Sequence, residues 1–147
     1  MLKCKVFLYL FIFTIFPKLY GQEEIWSISS ETCHNIYSLK SKSRLYCKCA
    51  FTVSNLTEIP LRYKVEKDCK CTELFVDGME NGYGAIPPND SIVIDVIFST
   101  VGKNQEEHDE VLKEISGEGN KKKVTPSIEF LQYKNRIDLP CTFFFTN

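Results

Sequence analysis

The sequence predicts an all-β fold, an antiparallel β-sandwich of about seven strands, on three observations. Apolar and polar residues alternate with a period of two through 45–54 and 61–67, and 92–98 is a mainly apolar run of strand length. Clusters of Gly, Pro, Asn and Asp punctuate these segments at short intervals. No helical pattern recurs after each strand, as a parallel sheet would require.

Taken in order, residues 1–21 have the layout of a secretory signal peptide. Lys3 and Lys5 begin it, an uncharged and mainly apolar run of 11 residues fills Val6 to Phe16, and Pro17 to Gly21 leads to a cut before Gln22. That run is shorter than the roughly 20 residues needed to span a bilayer. No later apolar stretch reaches membrane length, so residues 22–147 read as one exported domain, periplasmic or extracellular. Without residues 1–21 the 18 basic residues lose Lys3, Lys5 and Lys18, leaving 15 against 19 acidic ones, a net charge of −4. A nucleic-acid or anionic-membrane surface would need the opposite balance.

A first strand is expected near Ile25–Ser29, and Ser38–Ser43 has loop composition. From Leu45, one face collects Cys47, Cys49, Phe51 and Val53; Asn55 to Pro60 supplies a turn, and Leu61, Tyr63 and Val65 resume the alternation. Thr72–Val76 is a third short strand ended by Asp77-Gly78, and Glu80–Asp90 reads as loop. Ile92 to Phe98 is apolar on both faces, as a central strand would be. A charged insertion at about 103–123 carries Val111, Leu112 and Ile115 at helical spacing, and is expected to be partly helical and mostly solvated. Ser127–Tyr133 and Arg136–Phe145 close the fold, with Ile137, Leu139, Cys141, Phe143 and Phe145 on one face.

Six cysteines follow the signal segment: Cys33, Cys47, Cys49, Cys69, Cys71 and Cys141. An even number in an exported chain points to disulfides. If 45–54 and 61–67 run antiparallel, Cys47 and Cys49 meet Cys69 and Cys71 at one end of the domain. Two bridges there would each add about 2–4 kcal/mol, and Cys33–Cys141 is the pairing left over. The alternative is a thiolate site for Zn or Cu(I) built from Cys47, Cys49, Cys69 and Cys71. Cys-x-Cys is tighter than the usual zinc spacing of two to four intervening residues.

No catalytic set emerges, and the chain is expected not to be an enzyme and to need no cofactor. His34 sits beside Cys33, and His108 falls in the charged insertion, where it is expected to be solvated. The acidic pairs Glu23/Glu24, Glu106/Glu107 and Asp109/Glu110 lie in loops or on charged faces. Contact with another protein is the expected activity, through Gly82, Tyr83 and Asn89 of the 80–90 loop, the insertion, or Phe144, which points opposite to Phe143 and Phe145. Asn55 and Asn89 begin Asn-x-Thr/Ser triplets that a eukaryotic cell could glycosylate, but both also suit turns.

Phe51-x-x-x-Asn55, Pro60-Leu61, Asp68-Cys69-Lys70-Cys71-Thr72 and Ile86-Pro87-Pro88 resemble, in order, the spaced motifs of the exported bacterial DUF1573 domain. The resemblance spans about Cys47 to Val101. It implies an immunoglobulin-like sandwich of the PapD-like and major-sperm-protein-like type, and no particular activity. Lys70 replaces the family's central Gly, Asn89-Asp90 replaces its Gly-Glu, and Cys47, Cys49 and the insertion are additions.

Overall fold

Alternation decides which side chains of each strand turn inward, and the computed structural model shows the resulting layers for residues 24–30, 36–39 and 43–147. The signal-peptide reading, Cys33 and His34 lie outside the described residues. The elements are β1 (Trp26–Ser30), β2 (Ile36–Ser38), β3 (Tyr46–Asn55), β4 (Leu61–Glu66), β5 (Thr72–Val76), β6 (Tyr83–Ile86), β7 (Ser91–Ser99), α1 (Gln105–Gly117), β8 (Lys121–Val124), β9 (Ser127–Phe130), β10 (Asn135–Asp138) and β11 (Cys141–Thr146).

One layer has the strand order β1-β3-β7-β5, all antiparallel. The other is built from β10-β9-β4-β6 and β2-β11-β8. One long hairpin, β8/β9 against β10/β11, runs through both parts. Phe130 pairs with Asn135 and Ser127 with Asp138; Val124 then pairs with Cys141 and Lys121 with Phe144, with no slip in register between the halves. The break falls where Pro126 and Pro140 remove ladder N–H groups. The Leu139 N–H still donates to the Pro126 carbonyl at 2.7 Å, so the hairpin bends there without coming apart.

Apolar rows from the two layers meet as interlocking rings. Trp26 of β1 packs on Phe130 of β9 with centroids 4.5 Å apart, and Phe98 of β7 stacks on Phe143 of β11 at 6.0 Å. With β4 as C, β8/β9 as F and β10/β11 as G, the layers follow the ABED and CFG orders of an immunoglobulin-like sandwich. The parallel pairing of β2 with β11 places the chain's first strands in different layers.

Three expectations need correction. Strands β3 and β4 do not pair; they face each other across the core. The 80–90 segment is not all loop, because Tyr83–Ile86 pairs with β4 and buries Ile86 completely. Gly84 is what admits that strand, since a Cβ there would lie 2.5 Å from the Tyr63 hydroxyl. The insertion is helical over Gln105–Gly117 and mostly exposed, as expected, but His108, expected to be solvated, is buried. Asn104 and Glu107 form a capping box at its start, and Ile115 and His108 are buried beneath it.

Asn55 ends β3 and is 1% exposed. Its Nδ2 donates to the carbonyls of Ile59 (2.7 Å), Ile86 (3.0 Å) and Pro87 (3.1 Å), while its Oδ1 accepts from the N–H (2.9 Å) and hydroxyl (2.8 Å) of Thr57. Asn55→Ala leaves these buried groups without partners. It should lower unfolding free energy in urea by about 2–4 kcal/mol; a loss under about 1 kcal/mol would show that solvent satisfies them instead.

Candidate functional site

The cysteine-bearing end of the sandwich is assembled by β-sheet register. Across the inner face of the first layer, Cys47, Phe98 and Thr72 form one row on β3, β7 and β5. Just before β5 the chain turns through Asp68 to Cys71, and Cys69 and Cys71 are joined by a disulfide with Cα atoms 5.2 Å apart. Cys69 Sγ lies 4.0 Å from Thr72 Oγ1, which donates to the Cys69 carbonyl at 3.3 Å. The facing layer is tied in by Asp68, whose Oδ2 accepts the Thr125 N–H at 2.6 Å, beside the β8–β9 break. Cys141 pairs with Val124 and feels the Asp68 charge.

Of the four sulfurs expected to converge here, Cys47, Cys69 and Cys71 lie at this end, while Cys49 sits one row further in, opposite Val96; Cys141 joins them from the facing layer, and the pairing is different. The cross-bridges expected between the Cys47/Cys49 and Cys69/Cys71 segments do not form, because Cys69 bonds to Cys71. Cys47 and Cys141 are buried free thiols, which corrects their reading as disulfide candidates and removes the Cys33–Cys141 bridge. Cys49 is also disulfide-bonded. With Cys49, Cys69 and Cys71 all in disulfides, the four-thiolate alternative would require both bonds to be reduced. Among the described residues no three His, Cys, Asp or Glu side chains are grouped to hold a metal.

Burial pushes the Cys47 thiol up to about 12, and burial followed by the Asp68 charge does the same for Cys141, from an ordinary value of 9.0. Neither is a useful nucleophile near neutrality.

His108 is not solvated. It is 2% exposed, and its Nδ1 lies 2.8 Å from Thr100 Oγ1, which also accepts the Leu45 N–H at 2.8 Å. The signal was present in the spacing: His108, Val111, Leu112 and Ile115 form one helical stripe, with a histidine in its first apolar position. Glu107, one of the acidic pairs, is engaged in the helix cap.

The proposed contact residues scatter. Tyr83 is exposed on the outer face of β6 with the Lys64 Nζ 5.7 Å from its ring centroid. Asn89 takes a left-handed φ of 56° and donates from Nδ2 to Glu58 at 3.1 Å, and Gly82 is half-buried. Phe144 is exposed, but on an inner strand, between β2 and β8. Asn55 is committed to the interior.

A second feature was not legible in the sequence. Strands β1 and β10 each end a sheet on the same side of the sandwich, and a cleft of about 650 Å³ opens between them, lined by Trp26, Ile28, Asn135 and Ile137. Other sheet-ending strands are blunted: β8 carries three lysines, β5 and β10 carry charges, β6 holds Gly84 and β2 is three residues long. Trp-Ser-Ile-Ser-Ser of β1 has no charge, proline or glycine.

No protein-family model matches the chain, and no curated protein sequence matches it. Among solved structures, a FixG-related protein from Vibrio parahaemolyticus superposes with a TM-score of 0.53 at 8% identity, over 84% of this chain and 98% of that one. The likeness is one of fold. The YadV chaperone aligns with a TM-score of 0.42 at 10% identity, over 82% of this chain and 51% of that one.

The raised thiols predict an alkaline weakness. An acid group held neutral by folding contributes fully below its unfolded value near 9.0, and that stability is lost as pH rises toward about 12. Wild-type unfolding free energy should therefore fall faster than that of Cys47→Ala/Cys141→Ala between pH 9 and 11, by about 1 kcal/mol per pH unit for each thiol. Parallel curves in urea titrations would contradict the assignment.

Proposed function

We propose that this chain is an exported, non-catalytic immunoglobulin-like module that acts by contact with another protein, and that strand β1 is the contact. The supporting observation is the contrast among edges. β1 is a five-residue strand without the charges, proline or glycine that blunt most other edges, and it borders a cleft lined by Trp26, Ile28 and Ile137 together with Glu24, Ser27 and Asn135. An extended segment laid along β1 would pair with the backbone groups turned away from β3 and place alternate side chains against Trp26, Ile28 and Ile137. The DUF1573-like motifs and the signal-peptide layout support placing this module outside the cytoplasm.

Site-specific photo-crosslinking in the exporting cell tests this reading. A photo-reactive residue at Ser27 or Ser29 should yield one discrete protein adduct, absent when the probe replaces Tyr83 or Phe144. Adding Ile28→Pro should abolish that adduct, because proline removes a donor and blocks pairing. Equal adducts at all four positions, or adducts only at Tyr83 or Phe144, would move the contact away from β1.

A further inference from the structure

The geometry points to the Cys69–Cys71 disulfide as a thiol–disulfide exchange site, with a small peptide thiol bearing both carboxylate and ammonium groups as its substrate class. Its covalent setting is unlike that of a structural staple. The bond joins residues two apart in sequence, so it closes a minimal loop and constrains the unfolded chain less than any longer bridge could. It is also reachable. Cys69 and Cys71 are half-buried against the edge of the core, at a turn whose middle residue, Lys70, is exposed.

Cys71 opens onto a cleft of about 360 Å³ between this turn and the segment entering α1. Lys70 and Lys103 bring cations to that cleft, and Glu73 and Glu107 bring anions, which suits a zwitterionic thiol. The turn is held at both ends, by Asp68 on Thr125 and by Thr72 in the β5 ladder. An opened pair therefore stays close enough to close again. The other two thiols are walled off in the core, so exchange is confined to this pair.

The step balances without a further reagent. A substrate thiolate attacks Cys71 Sγ, the Cys69–Cys71 bond breaks, and Cys69 leaves with the electron pair and takes up a proton beside Thr72. A second substrate thiol attacks the substrate sulfur of the mixed disulfide and releases Cys71, which is protonated in turn. Two substrate thiols are oxidised to one disulfide, and the protein bond is reduced by two electrons.

Equilibration of the folded chain in glutathione buffers, quenched by maleimide and mapped by peptide mass, tests the proposal. Cys69 and Cys71 should become labelled together in buffers at least tenfold less reducing than those that open the Cys49 bond, with unchanged far-UV circular dichroism. Cys69→Ser should trap one glutathione on Cys71. Lys70→Glu/Lys103→Glu should slow opening by glutathione about 3–10-fold more than opening by 2-mercaptoethanol, whose thiolate carries no further charges. Opening only together with the Cys49 bond, or only on unfolding, would overturn the exchange site. Equal slowing for both thiols would overturn the substrate class. Neither result bears on β1, so this site and the contact reading can fail separately.

Discussion

One buried carboxamide fixes how the two layers are joined. The chain passes from the first layer to the second after β3 and returns after β6, and both crossings occur at the same end of the sandwich. Asn55 reaches each of them, through Ile59 on one side and through Ile86 and Pro87 on the other. Its neighbours extend the tie, since the Asn89 N–H donates to Thr57 O at 3.2 Å and the Leu56 N–H to Ile25 O at 2.9 Å. Only an uncharged side chain with both donors and acceptors satisfies this set; a carboxylate would face three carbonyls, and an apolar residue would leave them bare. This gives a physical reason for asparagine at the end of the Phe51-x-x-x-Asn55 segment.

At the opposite end the return from β4 to β5 has no such hub, and the small clasp of Cys69 and Cys71 stands in its place. Asp68 holds one side of that crossing and Thr72 the other, so the layers stay joined there whether or not the sulfur bond is closed. The two ends thus differ in kind. One is locked by neutral hydrogen bonds in the interior, and the other combines a backbone anchor with a half-buried covalent bond at the rim. The proposed exchange site lies at the second end, whereas the proposed β1 contact begins beside the Asn55 lock, where Trp26 pairs with Asn55.

The period-two pattern carried most of the fold. Cys47 to Val53, Leu61 to Val65 and Ile92 to Phe98 were legible as strands because burial on one or two faces leaves a direct mark on composition. Strand β6 was not, since Gly84 and the following prolines look like a loop until Tyr63 is seen to need the space. The bend at Pro126 and Pro140 was missed for a related reason: each proline is unremarkable alone, and only their opposition in the hairpin reveals the break. The helix was half visible; reading His108 as solvated ignored that it completes the stripe of Val111, Leu112 and Ile115. Cysteine pairing was beyond reach, because spacing places sulfurs at an end of the domain but does not say which layer each belongs to. The β1–β10 cleft depends on which strands end the sheets, and no local pattern records that.

Burial sorts the described cysteines, with Cys47 and Cys141 kept as thiols in the core and Cys49, Cys69 and Cys71 oxidised. Counting thiols on unreduced protein lacking residues 1–21, first folded and then in guanidinium, tests it most directly. The prediction is no reaction in the folded state and two thiols per chain, at Cys47 and Cys141, once it unfolds. No thiols after unfolding, or rapid reaction while folded, would contradict it.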